Sequence, residues 1–423
     1  MHFDTLQGWL GWQETLHYQA IDLGLERVTS VFLRINPKRL HPPTITVAGT
    51  NGKGSCIAYL EAIYRAQGYR VGAYTSPHIL RYNERIKIDG KPVSDELICE
   101  TFARIEAVRG DTTLSYFEFG TLAALEIFRC ADLDVQLLEV GMGGRLDAVN
   151  LIDADAALVS SIAIDHVDWL GNTREAIGQE KGGIFRPAAY AIIGDPDPPD
   201  SLIQMAVKAK AQLFRLGKNF SYQKQSNNTW DWYSDDEALP QLPLPSLKGE
   251  HQFRNAATVI LAVKKMSSRL AVDETAIRLG LEAANLRGRF QLIGDDIPVL
   301  LDVGHNPQAV AMLADYLKAE FSGKCIHAVF SMMKDKDILG VLNIMDSVIY
   351  DWFFAPLTNP RAISESAIRK FFGQNAMTNV NFGFNNVAES FSAAKRQSQP
   401  GDLILVFGSF FLVSDYLAEF ENK

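Results

Sequence analysis

Apolar residues in this chain fall into short β-branched runs separated by stretches of helical period, and the alternation recurs almost from end to end. The first stretch predicts a helix over residues 5–20, with Leu6, Trp9, Leu10 and Leu16 along one face. Thr44-Ile45-Thr46-Val47-Ala48 then reads as a buried strand. Residues 56–67 read as the helix after it, with Ile57, Leu60 and Ile63 aligned and Gly68 as the stop. Further strands are expected at 71–75, 135–140, 156–162 and 189–193, and helices at 94–108 (capped by Ser94) and 116–130. Strands alternating with helices from 44 to 193 predict a mainly parallel sheet covered on both faces.

The pattern changes after residue 195. Pro196, Pro198, Pro199, Pro243 and Pro245 flank a polar patch at 227–236 that holds Trp230 and Trp232, which predicts small antiparallel strands and turns. A helix over 253–266 and another, capped by Asp273, reaching 284 bring the chain to a boundary near Asn285. Strands at 299–303, 327–330, 352–355 and 403–407, with a helix from Pro307, predict a second and smaller α/β domain. The expected fold class is α/β: a parallel-sheet domain over 1–285, which the glycine-rich, lysine-bearing turn Gly49–Ser55 after its first strand marks as a P-loop ATPase domain, followed by a smaller Rossmann-like domain over 286–423.

Composition narrows the function classes. The net charge of −9, with no Lys/Arg run, argues against a nucleic-acid partner, and it means that any bound nucleotide needs local positive charge. Cys56, Cys99, Cys130 and Cys325 are scattered with no CxxC pair, so neither a zinc site nor a disulfide framework is expected. The N-terminus lacks a basic flank followed by an apolar core. No run of about 18 apolar residues occurs either. A cytoplasmic protein without membrane contact is expected.

Three stretches carry candidate chemistry. The first is Gly49-Thr50-Asn51-Gly52-Lys53-Gly54-Ser55, between a strand and a helix. Its glycines let backbone N–H groups converge on phosphate oxygens, and Lys53 supplies a mobile charge. Only two residues separate Gly49 from Gly52, where the common phosphate loop has four. The plainer alternative is a glycine-rich turn with an exposed lysine. The second is Glu139, which ends an apolar strand just before Gly141, Gly143 and Gly144. Ligands of open α/β sheets bind at that edge, and a Mg²⁺ ion takes one or two carboxylates beside phosphate oxygens. The alternative is a charge surfacing at a strand end. The third is Asp165-His166-Val167-Asp168, also after a strand, where His166 is a candidate for the same metal and otherwise an ordinary loop histidine.

The glycine-rich loop, with Thr75-Ser76-Pro77-His78, Tyr116-Phe117-Glu118-Phe119-Gly120-Thr121, Leu138-Glu139-Val140-Gly141-Met142-Gly143-Gly144-Arg145-Leu146-Asp147-Ala148, Ser161-Ile162-Ala163-Ile164-Asp165-His166, Glu180-Lys181-Gly182-Gly183-Ile184-Phe185, Gly288-Arg289-Phe290 and Asp302-Val303-Gly304-His305-Asn306-Pro307, resembles the bacterial bifunctional dihydrofolate synthase/folylpolyglutamate synthase family of the Mur ligase superfamily. These blocks run in family order across nearly the whole chain.

The resemblance implies ATP-dependent ligation of L-glutamate to 7,8-dihydropteroate and to reduced folates through an acyl phosphate. It implies that Thr50, Asn51, Gly52, Lys53, Gly54 and Ser55 hold the ATP phosphates, with Asn255, Arg289 and Asp302 as further ATP contacts. It implies two Mg²⁺ ions on Ser76, Glu139 and His166, with potassium as a further cation. Lys181 corresponds to a carbamoylated lysine. Lys53, Lys181 and His305 are the catalytic candidates, and His305 and Ser409 the glutamate contacts, although Ser409 could also simply cap the last helix. For the pterin, the resemblance implies Thr15, Leu16, His17 and Tyr18, then Ser115, Tyr116, Phe117 and Glu118, and then Leu146, Asp147 and Ala148, with Phe117 stacking on the ring. His17 and Tyr18 read from the residues alone are packing positions. Gly183 and Gly304 stand where many members have alanine. A monomer is expected. The alternatives are the polyglutamate activity alone, or a nucleotide-binding regulator without catalysis.

Overall fold

The computed structural model describes residues 3–19, 21–294 and 296–420. The chain divides into two compact units, one running to Ser246 and resuming over Phe253–Asn285, the other formed by Leu247–Gln252 and everything from Leu286.

The first unit is built on an eight-stranded sheet. In chain order its strands are β1 (Thr44–Ala48), β2 (Val71–Tyr74), β3 (Ile86–Ile88), β4 (Lys91–Pro92), β5 (Val135–Glu139), β6 (Ala156–Val159), β7 (Tyr190–Ile193) and β8 (Gln212–Arg215). Their spatial order is β4-β3-β2-β5-β1-β6-β7-β8. The β2–β3 and β3–β4 pairs are antiparallel and the rest parallel. β1 and β5 are buried at every position, as expected of central strands with helices on both faces. β1 lies between β5 and β6, so the carboxyl ends of three neighbouring strands open onto one edge, where the chain's direction of winding reverses.

Several predicted helices appear within a residue or two. Tyr116–Cys130 begins with a reciprocal cap in which Ser115 and Glu118 satisfy each other's backbone N–H groups. Asp95–Arg109 is capped by Ser94. The first helix is shorter than expected, Leu6–Leu16, because His17 turns into extended backbone; Ala20 of the predicted span lies outside the described residues. The helix after the phosphate loop starts at Lys53, three residues early, since Gly52 at φ 92 makes the turn into it.

A helix at Glu26–Ile35, burying Val28, Val31 and Phe32, was not among those expected. Beyond residue 195 only part of the expectation holds. The chain first adds a helix, Asp200–Lys208, and the parallel edge strand β8. Only then does it form the antiparallel strands β9 (Phe220–Lys224), β10 (Thr229–Ser234) and β11 (Ala238–Pro243). Trp230 and Trp232 are fully buried there, with their indole N–H groups donating to the carbonyls of Pro243 and Ala257.

The second unit is a six-stranded sheet of β12 (Gln291–Ile293), β13 (Val299–Asp302), β14 (Ile326–Phe330), β15 (Asp351–Phe354), β16 (Val380–Asn381) and β17 (Leu403–Phe407), in the order β12-β13-β17-β14-β15-β16. Only β12 runs antiparallel. Helices Pro307–Glu320, Ile338–Met345, Glu365–Gln374, Val387–Gln397 and Phe410–Phe420 accompany it.

Candidate active site

The glycine-rich loop is laced to the end of β6. The Thr50 N–H donates to Ser161 O at 2.7 Å, and the Thr50 hydroxyl exchanges bonds of 3.0 Å with the backbone of Ala163. The hydroxyls of Ser160 and Ser161 both donate to Asn51 O, at 2.7 and 3.0 Å. These serines were not among the predicted site residues. The signals for them were a polar pair late in the expected strand 156–162, which ends at Val159, and the place of Ser161 at the head of the block 161–166. Asn255 lies against the loop so closely that a Cβ on Gly52 would meet its Oδ1 at 2.7 Å. The structure therefore gathers Asn255 to the predicted phosphate cradle. Ser55 is buried in the first turn of the helix.

Two lysines converge on the same turn. Lys53 Nζ donates to Gly49 O at 3.1 Å and to Thr50 O at 3.3 Å, and Lys181 Nζ donates to Gly49 O at 2.9 Å. Lys181 reaches it from the helix Arg174–Gly182. Burial, and then the nearby Lys53 charge, bring the Lys181 ammonium down to about 7. The glycines flanking it make this approach possible. A Cβ on Gly144 would meet Glu180 O at 2.8 Å, and one on Gly183 would meet Arg145 Cα at 2.6 Å. Glycine at 183 is thus needed by the packing of this chain.

Glu139 is buried at the end of β5 and accepts the Ser76 N–H at 3.2 Å on Oε2, joining two of the predicted metal ligands across neighbouring strand ends. The Cys56 thiol is pushed up to about 12, chiefly by burial and secondly by the Glu139 charge. His166 stands in a left-handed turn (φ 53) with its N–H on Asp165 Oδ1. Among the described residues, no group of three or more His, Cys, Asp and Glu side chains gathers as a complete metal shell. A buried carboxylate beside a phosphate cradle nevertheless fits a hard cation that completes its shell with phosphate oxygens and water.

The predicted pterin residues separate into two sets. The far end of the Phe117 ring lies so close to Gly141 that a Cβ there would meet its Cζ at 2.5 Å, and its ring is 6.0 Å from that of Tyr74. Asp147 is buried nearby and accepts N–H groups from Met142 (2.8 Å) and Val149 (3.0 Å). Its carboxyl is raised to about 6, burial outweighing those bonds. Leu146 and Ala148 flank it. Glu118 and Ser115 form the helix cap described above. At the other end, Thr15 is exposed, its hydroxyl donating to Trp12 O; Leu16 packs on the core, and Tyr18 is 81 % exposed. His17 instead bonds Thr113 (2.8 Å) and Asp22 (3.0 Å). Asp22 holds Arg27 at 2.6 Å, and Arg27 reaches Glu118 at 3.0 Å. The structure brings Asp22 and Arg27 to the Ser115–Glu118 cap, and of the Thr15–Tyr18 set only His17 touches that network.

In the second unit Asp302 and Phe407 pair side by side at the carboxyl ends of β13 and β17. Asp302 is buried and accepts the N–H groups of Gly304 (2.7 Å) and Phe290 (3.3 Å), and burial raises its carboxyl. Arg289 is held between Gly288 (φ 65) and Phe290 (φ 45), with its guanidinium 5.1 Å over the Phe410 ring. The His305 ring is 6.1 Å from Phe410, and its Nδ1 lies 2.8 Å from Val303 O. A carbonyl only accepts, so Nδ1 carries the proton. Ser409 is buried, and its hydroxyl accepts the Phe411 N–H at 3.1 Å, the capping role foreseen for it. The unit therefore collects Arg289, Asp302, His305 and Ser409 at one sheet edge.

No helix among the described residues is long and apolar enough to cross a membrane. Residues 47–263 match the Mur ligase middle domain, and residues 288–410 match the Mur ligase, glutamate ligase domain. Fold and site are accordingly those of a Mur ligase, an ATP-dependent amide-forming enzyme. The chain is 43 % identical to the dihydrofolate synthase/folylpolyglutamate synthase of Escherichia coli, over 97 % of this chain and 94 % of that protein. It superposes on E. coli FolC in complex with DHPP and ADP with a TM-score of 0.93 at 42 % identity, covering 99 % and 98 % of the two chains. The Yersinia pestis bifunctional folylpolyglutamate synthase/dihydrofolate synthase, complexed with AMPPNP and a Mn ion, gives 0.91 at 43 % identity with the same coverage. The chain belongs to the dihydrofolate synthase/folylpolyglutamate synthase family.

Proposed function

We propose that this enzyme ligates L-glutamate to 7,8-dihydropteroate, giving dihydrofolate, and then adds glutamate to reduced folates. The observation that carries this reading is a conjunction at one sheet edge. The lysine-bearing phosphate loop, the buried Glu139–Ser76 pair and the Phe117 ring on Gly141 adjoin one another through β1, β2 and β5.

A carboxylate does not react with an amine until one of its oxygens becomes a good leaving group. Its attack on the ATP γ-phosphorus forms an acyl phosphate and releases ADP. The glutamate amine then attacks the acyl carbon, the C–N bond forms, and inorganic phosphate departs while the amine gives up its proton. Lys53 and the loop N–H groups would hold the phosphates, with Asn255, Arg289 and Asp302 contacting the nucleotide. Phe117 would stack on the pterin, and Asp147, flanked by Leu146 and Ala148, would bond its polar edge. His305 and Ser409 would orient the incoming glutamate. Ser76, Glu139 and His166 would hold two Mg²⁺ ions, with potassium as a further cation; bound there, the metals would offset the charge of the transferring phosphoryl group. Lys181, with an ammonium that loses its proton near pH 7, would be carbamoylated by carbon dioxide and present a carboxylate. We assign the pterin and ATP roles to residues 1–285 and the glutamate-ligase role to 286–423. The protein would act as a cytoplasmic monomer on small molecules.

The test is phosphate release by purified protein with ATP, Mg²⁺, glutamate and dihydropteroate. Glutamate-dependent release with formation of dihydrofolate is expected, and no turnover of dihydropteroate would remove the first activity.

A further inference from the structure

Arg85 is half-buried at the end of the short 3-10 turn Tyr82–Arg85, directly before β3, and belongs to none of the sets above. Its guanidinium lies 5.5 Å from the Tyr82 ring and 5.6 Å from the Tyr116 ring, two faces that fix its plane. Its Nε donates to His78 Nδ1 at 2.9 Å. An arginine nitrogen only donates, so this ring nitrogen accepts, and the neutral imidazole carries its proton on Nε2. Among the described residues no carboxylate pairs with Arg85 and nothing accepts from its two terminal nitrogens. The adjacent Glu84 is spent on the N–H groups of Ile79, Leu80 and Arg81. Arg27, by contrast, is paired with Asp22 and Glu118. A stacked guanidinium without a counter-charge, in a chain of net charge −9, is a fork built for a carboxylate from outside.

Its position says which carboxylate. His78 follows two residues after Ser76, whose N–H is on Glu139, and Tyr116 precedes Phe117 on Gly141. Arg85 thus adjoins both the candidate metal carboxylate and the candidate ring platform. Dihydropteroate brings one carboxylate, the one that reacts. A reduced folate reacts through the γ-carboxylate of its glutamyl group and carries the α-carboxylate as an extra anion. We propose that Arg85, steadied by Tyr82, Tyr116 and His78, is the subsite for that α-carboxylate and so determines the use of folates as second substrates. This rests on the function proposed above.

The test compares wild type with Arg85→Gln and Arg85→Lys, using phosphate release with dihydropteroate or tetrahydrofolate as the varied substrate. A bond to a charged group lost at a half-buried site lowers kcat/KM for tetrahydrofolate by ~10–100-fold more than for dihydropteroate, mainly through KM. Arg85→Lys, which keeps the charge and loses the fork, falls between. KM for ATP and for glutamate moves less than about twofold. Equal losses on both substrates, or a loss expressed in the KM of ATP or of glutamate, overturn the proposal. Circular dichroism checks the fold, and if Arg85→Gln melts early, equilibrium binding of tetrahydrofolate against tetrahydropteroate to Arg85→Lys decides in its place. A wild type that uses dihydropteroate but not tetrahydrofolate removes this subsite alone, whereas a wild type inert to both removes the function itself.

Discussion

Lys53 and Lys181 donate to one and the same oxygen, the carbonyl of Gly49, at 3.1 and 2.9 Å. Burial penalises the charged form of Lys181 most, and the Lys53 ammonium on the same carbonyl adds to it, so Lys181 falls to about 7.

The sign of the consequence for stability follows. Between about pH 7 and the ordinary lysine value of 10.5, the unfolded chain holds a proton on Lys181 that the native state has released. Stability therefore rises with pH across that window, and the burden of the buried lysine is fully present below about pH 7. Lys181→Met, similar in length and without charge, is expected to raise the melting temperature of the ligand-free protein most at or below pH 7, with the gain fading towards pH 10.5. It is also expected to abolish ligation. A melting-temperature gain that does not depend on pH would contradict the account. Carbon-13 NMR with labelled bicarbonate should show a carbamate carbon in wild type that is absent from the variant.

Glu139→Gln keeps the shape of the side chain and a carbonyl oxygen for the Ser76 N–H but loses the charge. Ligation by this variant should fall by more than the ~10–100-fold typical of residues that only support a metal ligand, and raised Mg²⁺ should restore part of it. Since Glu139 contributes to the raised Cys56 thiol, the variant should also show a lower Cys56 pKa in a thiol-alkylation profile. Near-normal turnover would remove Glu139 from the metal.

Much of the candidate site was legible because ligands of open α/β sheets bind at the carboxyl ends of the strands. A β-branched run followed at once by a polar residue marks an edge of the sheet, and Gly49–Ser55, Glu139, Asp302 and Ser409 were all found that way. Polar contacts made across long sequence separation were not. Ser160 and Ser161 act through Asn51, and Arg27 through Glu118, 91 residues away, so no local period announces them. The Glu26–Ile35 helix is a different case, for Val28, Val31, Phe32 and Ile35 do recur at helical spacing along its buried face, and that local signal was passed over. Trp230 and Trp232 fall on an antiparallel strand, as expected of their stretch. They sit in a polar stretch, yet alternate positions of a strand send them to one buried face.

Gly141→Ala places a methyl carbon 2.5 Å from the Phe117 ring, closer than atoms pack. The ring must tilt. Loss of a stacked aromatic contact is worth about 0.5–1.5 kcal/mol, so KM for dihydropteroate is expected to rise ~2–10-fold with little change in KM for ATP. Phe117→Leu should do the same without the clash. If both variants leave the dihydropteroate KM untouched, the ring does not rest on Phe117.

Arg27→Ala and Tyr18→Ala separate the two parts of the N-terminal segment. Tyr18 is 81 % exposed, so its removal should change stability by under about 0.5 kcal/mol. Arg27 bridges Asp22 and the buried Glu118, and without it Glu118 keeps only the Ser115 N–H at 2.7 Å. Leaving that carboxylate short of a partner costs about 1–3 kcal/mol and should loosen the cap beneath Tyr116 and Phe117. The expected result is a lower melting temperature together with a raised dihydropteroate KM. A Tyr18→Ala variant that weakens dihydropteroate use as much as Arg27→Ala would return the exposed end of the segment to the binding site.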